Sequence, residues 1–140
     1  MSGAKKAETE FDSGALARRL AEVADSKGAT EIVVLDMRKL VSYTDYLAIC
    51  TARNERQAKA IGDEVKLRLK SEDGLLPAGT DGEGAAGWIV VDFLDAVMHV
   101  FTEDARQRYQ LEDLWREAPR LELQASQDGV RGHLYGAAHG

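Results

Sequence analysis

The chain predicts a single α/β (α+β) domain in which a mixed β-sheet is flanked by helices. Two observations carry that prediction. The runs "EIVVLD", "YLAIC" and the pair inside "GWIVVDFLDAVMHVF" are apolar or β-branched and too short for helices, so they read as strands. Around them lie stretches whose apolar residues recur at helical spacing behind capping residues. The order is helix, strand, strand, helix, hairpin, helix, with no internal repeat, and 140 residues is the length of one domain.

In chain order, residues 1–12 are polar and small and are expected to be flexible. Ser13 can cap a first helix on which Leu16, Leu20, Val23 and Lys27 recur, with Gly28 placed to end it in a left-handed conformation. Two strands follow, "EIVVLD" and Tyr46 to Cys50. Asn54 then stands at an N-cap position with Gln57 as capping-box partner, and Ala58, Ile61, Val65 and Leu69 form the buried stripe of a second helix. "EDGLLPAGTDGEGAAG" is a glycine-rich connection. After the hairpin, Thr102 can cap a third helix with Glu103 and Asp104 in its first turn, where they complement the helix dipole. "YQLEDLW" either continues that helix or forms a separate turn. The folded domain is expected over 13–123, and the glycine-containing tail 124–140 has no periodic apolar pattern and reads as disordered.

The hairpin is the most informative stretch. With Trp88–Phe93 and Ala96–Phe101 as strands, only Leu94 and Asp95 remain for the turn. Counting outward pairs Phe93 with Ala96, Asp92 with Val97, Val91 with Met98, Val90 with His99, Ile89 with Val100 and Trp88 with Phe101. Alternation puts Ile89, Val91, Phe93, Ala96, Met98 and Val100 on one apolar side, which should meet the helices. The other side carries Trp88, Val90, Asp92, Val97, His99 and Phe101. Large aromatics beside an acid and an imidazole suit an interface, although a Trp in such a place is equally well core beneath another element.

Composition bounds the chemistry. Eighteen basic residues against 24 acidic ones give a net charge of −6, which disfavours direct nucleic-acid binding. Cys50 is the only cysteine, so an internal disulfide is excluded and a reducing compartment fits. The N-terminus has no apolar signal region and no run approaches the length of a membrane span, so the chain reads as cytoplasmic. Asp92 and Asp95 are three residues apart and cannot share a strand face, which argues against a two-carboxylate metal strand. "GTDGEGAAG" lacks the lysine of a phosphate loop and the Ser or Thr that follows it there. His99 has no histidine partner at ligand spacing, His133 and His139 lie in the tail, and Cys50 on an apolar strand reads as an inert thiol. Ser42, Thr44 and Asp45 could bind a polar ligand, but such residues at a strand entry more often make local turns. No cofactor, metal or catalytic residue is expected.

The series "VVLDM", "SYTDYLAICTA", "ERQAKAIGDEV", "GLLPAGTDG", "GWIVVDFLDAVMHVF" and "RYQLEDLW" resembles, in order and spacing, the ribosomal silencing factor family, the bacterial Iojap-like proteins, over about Thr30 to Trp115. The resemblance implies a mixed sheet of about five strands with nucleotidyltransferase-like topology but no catalytic centre. It also implies a translation repressor that binds the large ribosomal subunit through ribosomal protein uL14 and obstructs joining of the small subunit when nutrients are short. The family pattern falls on Asp36, Ser42, Thr44 and Asp45, then on Trp88, Asp92, Asp95, His99, Tyr109, Leu111, Glu112, Leu114 and Trp115. On that basis the docking patch is expected to comprise Trp88, Asp92, Phe93, Leu94, Asp95, His99, Phe101 and Tyr109, and the family-pattern residues Asp36, Ser42, Thr44, Asp45, Leu111, Glu112, Leu114 and Trp115 are expected to be structural. The chain departs from the family at Thr51-Ala52, Asp81-Gly82 and Leu94-Asp95, where Thr-Gly, Glu-Gly and Gly-Asp are common. The last bears on the turn: a two-residue turn often wants φ > 0 at its first position, costly by ~1 kcal/mol for a non-glycine residue, unless a longer loop or bulge absorbs Leu94. A nucleotidyltransferase-like enzyme or a ribosome-assembly adaptor is the alternative, and the Trp88 face could also pair two copies as a homodimer.

Overall fold

The computed structural model describes residues 12–82 and 87–123. The expectations of a flexible 1–12 and a disordered 124–140 lie outside the described residues except at Asp12, which is held at the start of α1. The elements are α1 (Ser13–Ser26), β1 (Thr30–Asp36), β2 (Tyr46–Ala52), α2 (Glu55–Asp73), β3 (Gly79–Asp81), β4 (Trp88–Asp92), β5 (Ala96–Thr102), α3 (Glu103–Tyr109) and α4 (Leu111–Leu114). They form one five-stranded mixed sheet in the order β1-β2-β5-β4-β3. Only the central pair β2 and β5 is parallel; the other neighbours are antiparallel. Parallel neighbours need a crossover, and the route from β2 to β5 contains α2 and the β3–β4 pair.

Several local details differ from the sequence reading. Asp12, not Ser13, caps α1: its Oδ1 accepts from Gly14 N–H at 3.0 Å and Ala15 N–H at 3.2 Å. Ser13 is already helical, and a carboxylate at that end also suits the helix dipole. The helix stops at Ser26, so Lys27 is its C-cap rather than part of the stripe, and Gly28 follows at φ 87°. Asn54 caps α2 as expected, its Oδ1 accepting from Gln57 N–H at 2.8 Å. The Gln57 amide reaches one residue further back than a capping box: Oε1 accepts from Arg53 N–H at 2.7 Å and Nε2 donates to Lys27 C=O at 3.0 Å. It thus ties the start of α2 to the end of α1.

The glycine-rich connection contains β3, which the sequence reading leaves as loop. All three residues of β3 are exposed, so no apolar alternation marks the strand; its pairing with β4 is supplied entirely by the partner. β2 runs past Cys50 to Ala52, and β5 runs to Thr102. "YQLEDLW" is a separate turn, because Gln110 adopts φ 48° and breaks α3 from α4.

The two faces of the sheet bury different clusters. On one, α1 and α2 cover Ile32, Val34, Ala48, Cys50, Ile89, Val91, Phe93, Ala96, Met98 and Val100, which includes every residue of the hairpin's predicted apolar side. On the other, Val33, Leu35, Leu47, Ile49, Val97 and Phe101 pack with Met37, Ala105 and Ala118, with Trp88, Val90, Leu111 and Trp115 partly buried against them. The second face is covered by α3, α4 and the segment that follows, and only in part. That partial cover sets up the site.

Candidate functional site

The hairpin has the register counted from the sequence: Trp88 opposite Phe101, Ile89 opposite Val100, Val90 opposite His99, Val91 opposite Met98 and Asp92 opposite Val97. Phe93 N–H donates to Ala96 C=O at 3.0 Å and closes a two-residue turn, so neither a longer loop nor a bulge is present. Leu94 takes φ 72°, and Asp95 N–H donates to Phe93 C=O at 2.8 Å, a γ-turn centred on Leu94. Asp92 Oδ1 accepts from Leu94 N–H at 2.7 Å and braces it.

At the other end of the hairpin the aromatic side chains gather. The Trp88 ring lies 5.0 Å from Phe101, stacked, 4.6 Å from Tyr109 and 5.9 Å from His99. Gly87, at φ 68°, lets the chain enter β4 against Thr102, whose N–H donates to Gly87 C=O at 2.8 Å. Thr102 then caps α3 through Ala105 N–H at 3.4 Å, and α3 delivers Tyr109 onto Trp88. Trp88 Nε1 donates to His99 Nδ1 at 3.1 Å. An accepting Nδ1 requires the neutral imidazole with its proton on Nε2. Burial pushes His99 down to about 4, with the nearby Asp92 carboxylate opposing.

The predicted patch residues therefore fall into layers. Leu94, Asp95 and Tyr109 are exposed, while Trp88, Asp92 and His99 are half-buried. Phe101 is fully buried under Trp88 and is a floor rather than a surface. Phe93 is 7% exposed and points into the core on the opposite face, as strand parity requires. A partner arriving at this face meets neither phenylalanine directly.

The residues implied to be structural occupy two places. Asp36 Oδ1 and Oδ2 pair with the Arg38 guanidinium at 2.9 and 2.8 Å, which holds the Asp36 carboxyl below the usual carboxylate range. Thr44 is buried, its hydroxyl donating to Tyr46 C=O at 3.3 Å; Ser42 is exposed and Asp45 half-buried. Asp45 N–H and Tyr46 N–H both donate to Asp95 C=O, at 3.1 and 3.2 Å, so this loop is joined to the hairpin turn. Leu111 and Trp115 are half-buried against the second cluster, and Leu114 is 69% exposed.

Glu112 exposes a residue that sequence reading misses. Its Oε1 accepts from Arg106 Nε at 2.9 Å, and Arg106 Nη1 donates to Glu31 C=O and to Thr51 Oγ1, both at 2.7 Å. Only 11% of the Arg106 side chain is exposed. One guanidinium thus binds α3 to α4, to β2 and to the bulged start of β1, where Glu31 sits at φ 49°. An arginine on a short charged helix gives no sequence signal of this.

What can the face do chemically? Asp92 ends β4 and Asp95 lies in the turn, so their carboxylates do not share a strand face. Cys50 is fully buried, and desolvation pushes its thiol up to about 12, far from a thiolate at neutral pH. Among the described residues no helix is long and apolar enough to cross a membrane. The arrangement offers a rigid aromatic and acidic surface suited to binding.

A family model described as "Ribosomal silencing factor during starvation" matches residues 10–136. A Haemophilus influenzae protein named ribosomal silencing factor RsfS is 41% identical over 101 residues, which cover 72% of this chain and 98% of the relative. A Bacillus subtilis protein of the same name is 38% identical over 103 residues, 74% of this chain and 86% of the relative. In structure, the chain is similar to a crystallised Chromobacterium violaceum protein with a TM-score of 0.72 and 29% identity, covering 76% of this chain and 88% of that one.

Proposed function

The chain belongs to the ribosomal silencing factor family, and from that membership we propose a translation repressor that seats on the large ribosomal subunit through ribosomal protein uL14. Once seated, it bars the small subunit sterically. The observation that supports a docking role most directly is the half-exposed group of Trp88, His99 and Tyr109, locked by ring contacts and one hydrogen bond beside Asp92 and Asp95. Rigid aromatics surrounded by polar groups are what interface hot spots are made of, because little side-chain entropy is lost on binding. A net charge of −6 favours a basic protein over RNA as the contact.

The repression needs no cofactor and no bond is made or broken: the body of the domain fills the place the other subunit needs. It acts in the cytoplasm, where ribosomes join. The test is co-sedimentation of the full chain with isolated large subunits, followed by addition of small subunits. Binding together with a loss of joined ribosomes is the expected result. Normal joining in the presence of bound protein would instead point to an assembly adaptor. Nucleotide turnover with Mg²⁺ and no effect on joining would point to an enzyme.

A further inference from the structure

Leu94 combines two properties that conflict within the isolated chain. Its side chain is 60% exposed, and its backbone sits at φ 72°, where a Cβ is crowded and glycine carries the least strain. Exposure alone would mean nothing, since single surface leucines are ordinary. Here, however, the backbone is locked. Asp95 N–H to Phe93 C=O at 2.8 Å, Leu94 N–H to Asp92 Oδ1 at 2.7 Å and Phe93 N–H to Ala96 C=O at 3.0 Å hold the turn from within. Asp45 and Tyr46 N–H hold it from outside through Asp95 C=O. The turn cannot relax without giving up these bonds, and a largely exposed leucine brings it little packing in exchange. Strain retained at such a point suggests that the side chain is used elsewhere.

The surroundings say what could use it. Asp92 and Asp95 stand on either side of Leu94 in the chain, and the loop joined to the turn carries Tyr43, 62% exposed, and Leu40, 37% exposed, with Asp45, Lys39 and an Arg38 paired to Asp36. Apolar side chains thus stand at one end of the sheet among charges that are mostly acidic: Asp45, Asp92 and Asp95 against Lys39, with Asp36 and Arg38 offsetting each other. Trp88 lies six residues away along the hairpin, roughly 20 Å at the rise of a strand, a spacing that fits within one interface of standard size. We infer that Leu94 is a second anchor, which enters an apolar socket rimmed by lysine or arginine on the protein that the Trp88 face docks against. This inference rests on the docking reading above.

The test compares wild type, Leu94→Gly, Leu94→Ala and Leu94→Met as full chains, by affinity for purified uL14 and for isolated large subunits, with Tm and sedimentation equilibrium alongside. Glycine and alanine should each weaken binding by ~10-fold or more, methionine should keep most of it, and the Tm of Leu94→Gly should not fall below that of wild type. Tight wild-type binding that Leu94→Gly leaves unchanged overturns the inference while the docking reading stands. A Tm lowered by several degrees in Leu94→Gly makes Leu94 a packing residue and overturns it as well. A changed self-association with unchanged affinity for the subunit assigns Leu94 to a second copy of this chain, again against the inference. Wild type that binds neither uL14 nor the subunit removes the docking reading itself and is told apart from the other outcomes by the wild-type measurement alone.

Discussion

Trp88 Nε1 and His99 Nδ1 are joined across the hairpin by a hydrogen bond of 3.1 Å, in which the imidazole must be the acceptor. A proton on Nδ1 would set two donors against each other, so the bond requires the neutral imidazole with its proton on Nε2. Because the two residues are on adjacent strands of one face, the bond fixes the Trp88 ring as well as the histidine.

Acid should therefore loosen this face. Burial pushes His99 in the folded chain down to about 4, against an ordinary value of 6.5. Between those values the unfolded chain binds the proton and the folded one does not. The contribution is fully present above pH 6.5 and is lost as pH falls toward 4, by at most ~1.4 kcal/mol per pH unit. Denaturant unfolding at a series of pH values should show this slope in wild type and lose it in His99→Gln. An equal slope in the two proteins would remove His99 as its source.

Trp88→Ala should leave a folded domain and a damaged surface. The residue is half-buried over Phe101, so truncation exposes that ring and costs ~1–3 kcal/mol of stability. If the docking proposal holds, affinity for the large subunit falls by ~2 kcal/mol or more beyond any loss from unfolding. Circular dichroism and co-sedimentation on the same preparation separate the two effects.

Arg106 should matter for stability far more than a charged residue on a short helix ordinarily would. Arg106→Met removes the hydrogen bonds to Glu31 C=O, Thr51 Oγ1 and Glu112 and leaves Thr51, 7% exposed, short of a partner. A loss of ~2–4 kcal/mol is expected. Arg106→Lys should recover only part of it, because an ammonium cannot reproduce the planar fork. Urea denaturation checks both, and a methionine variant as stable as wild type would show the cluster to be incidental.

The Gln57 amide offers a sharper test of how the two long helices are joined. Gln57→Glu keeps an acceptor for Arg53 N–H but places a carboxylate oxygen where Nε2 donates to Lys27 C=O. A destabilisation of ~1–3 kcal/mol is expected from the lost donor. Gln57→Glu should be less stable than an Asn54→Ala variant that loses only the cap, ~1 kcal/mol.

Cys50 should not react with an alkylating agent in the native chain. It is fully buried and burial pushes the thiol up to about 12. Mass spectrometry should find the modification only in denaturant, at the rate of unfolding. Rapid native labelling would contradict the burial of β2.

Local patterns in the chain are enough to place the helices with their stripes, the hairpin, its register and the residues that share each hairpin face. All of these rest on local rules: a 3.6-residue or two-residue period, a capping side chain within a few residues, a turn two residues long. The chain also carries enough of the family's residues, from Asp36 through Trp115, to mark its family without reference to the fold. The remaining features depend on chain segments far apart and so follow only from how those segments pack. β3 exists only because β4 offers it partners, β2 and β5 become parallel neighbours only through a crossover, and Arg106 reaches groups 55 and 75 residues away. Phe101 is floor rather than surface because α3 brings Tyr109 over Trp88, and Leu94 is held at positive φ by Asp92 and a turn tied to Asp45. Periodicity says which side of a strand a residue faces; only the packing of distant elements says whether that side meets solvent.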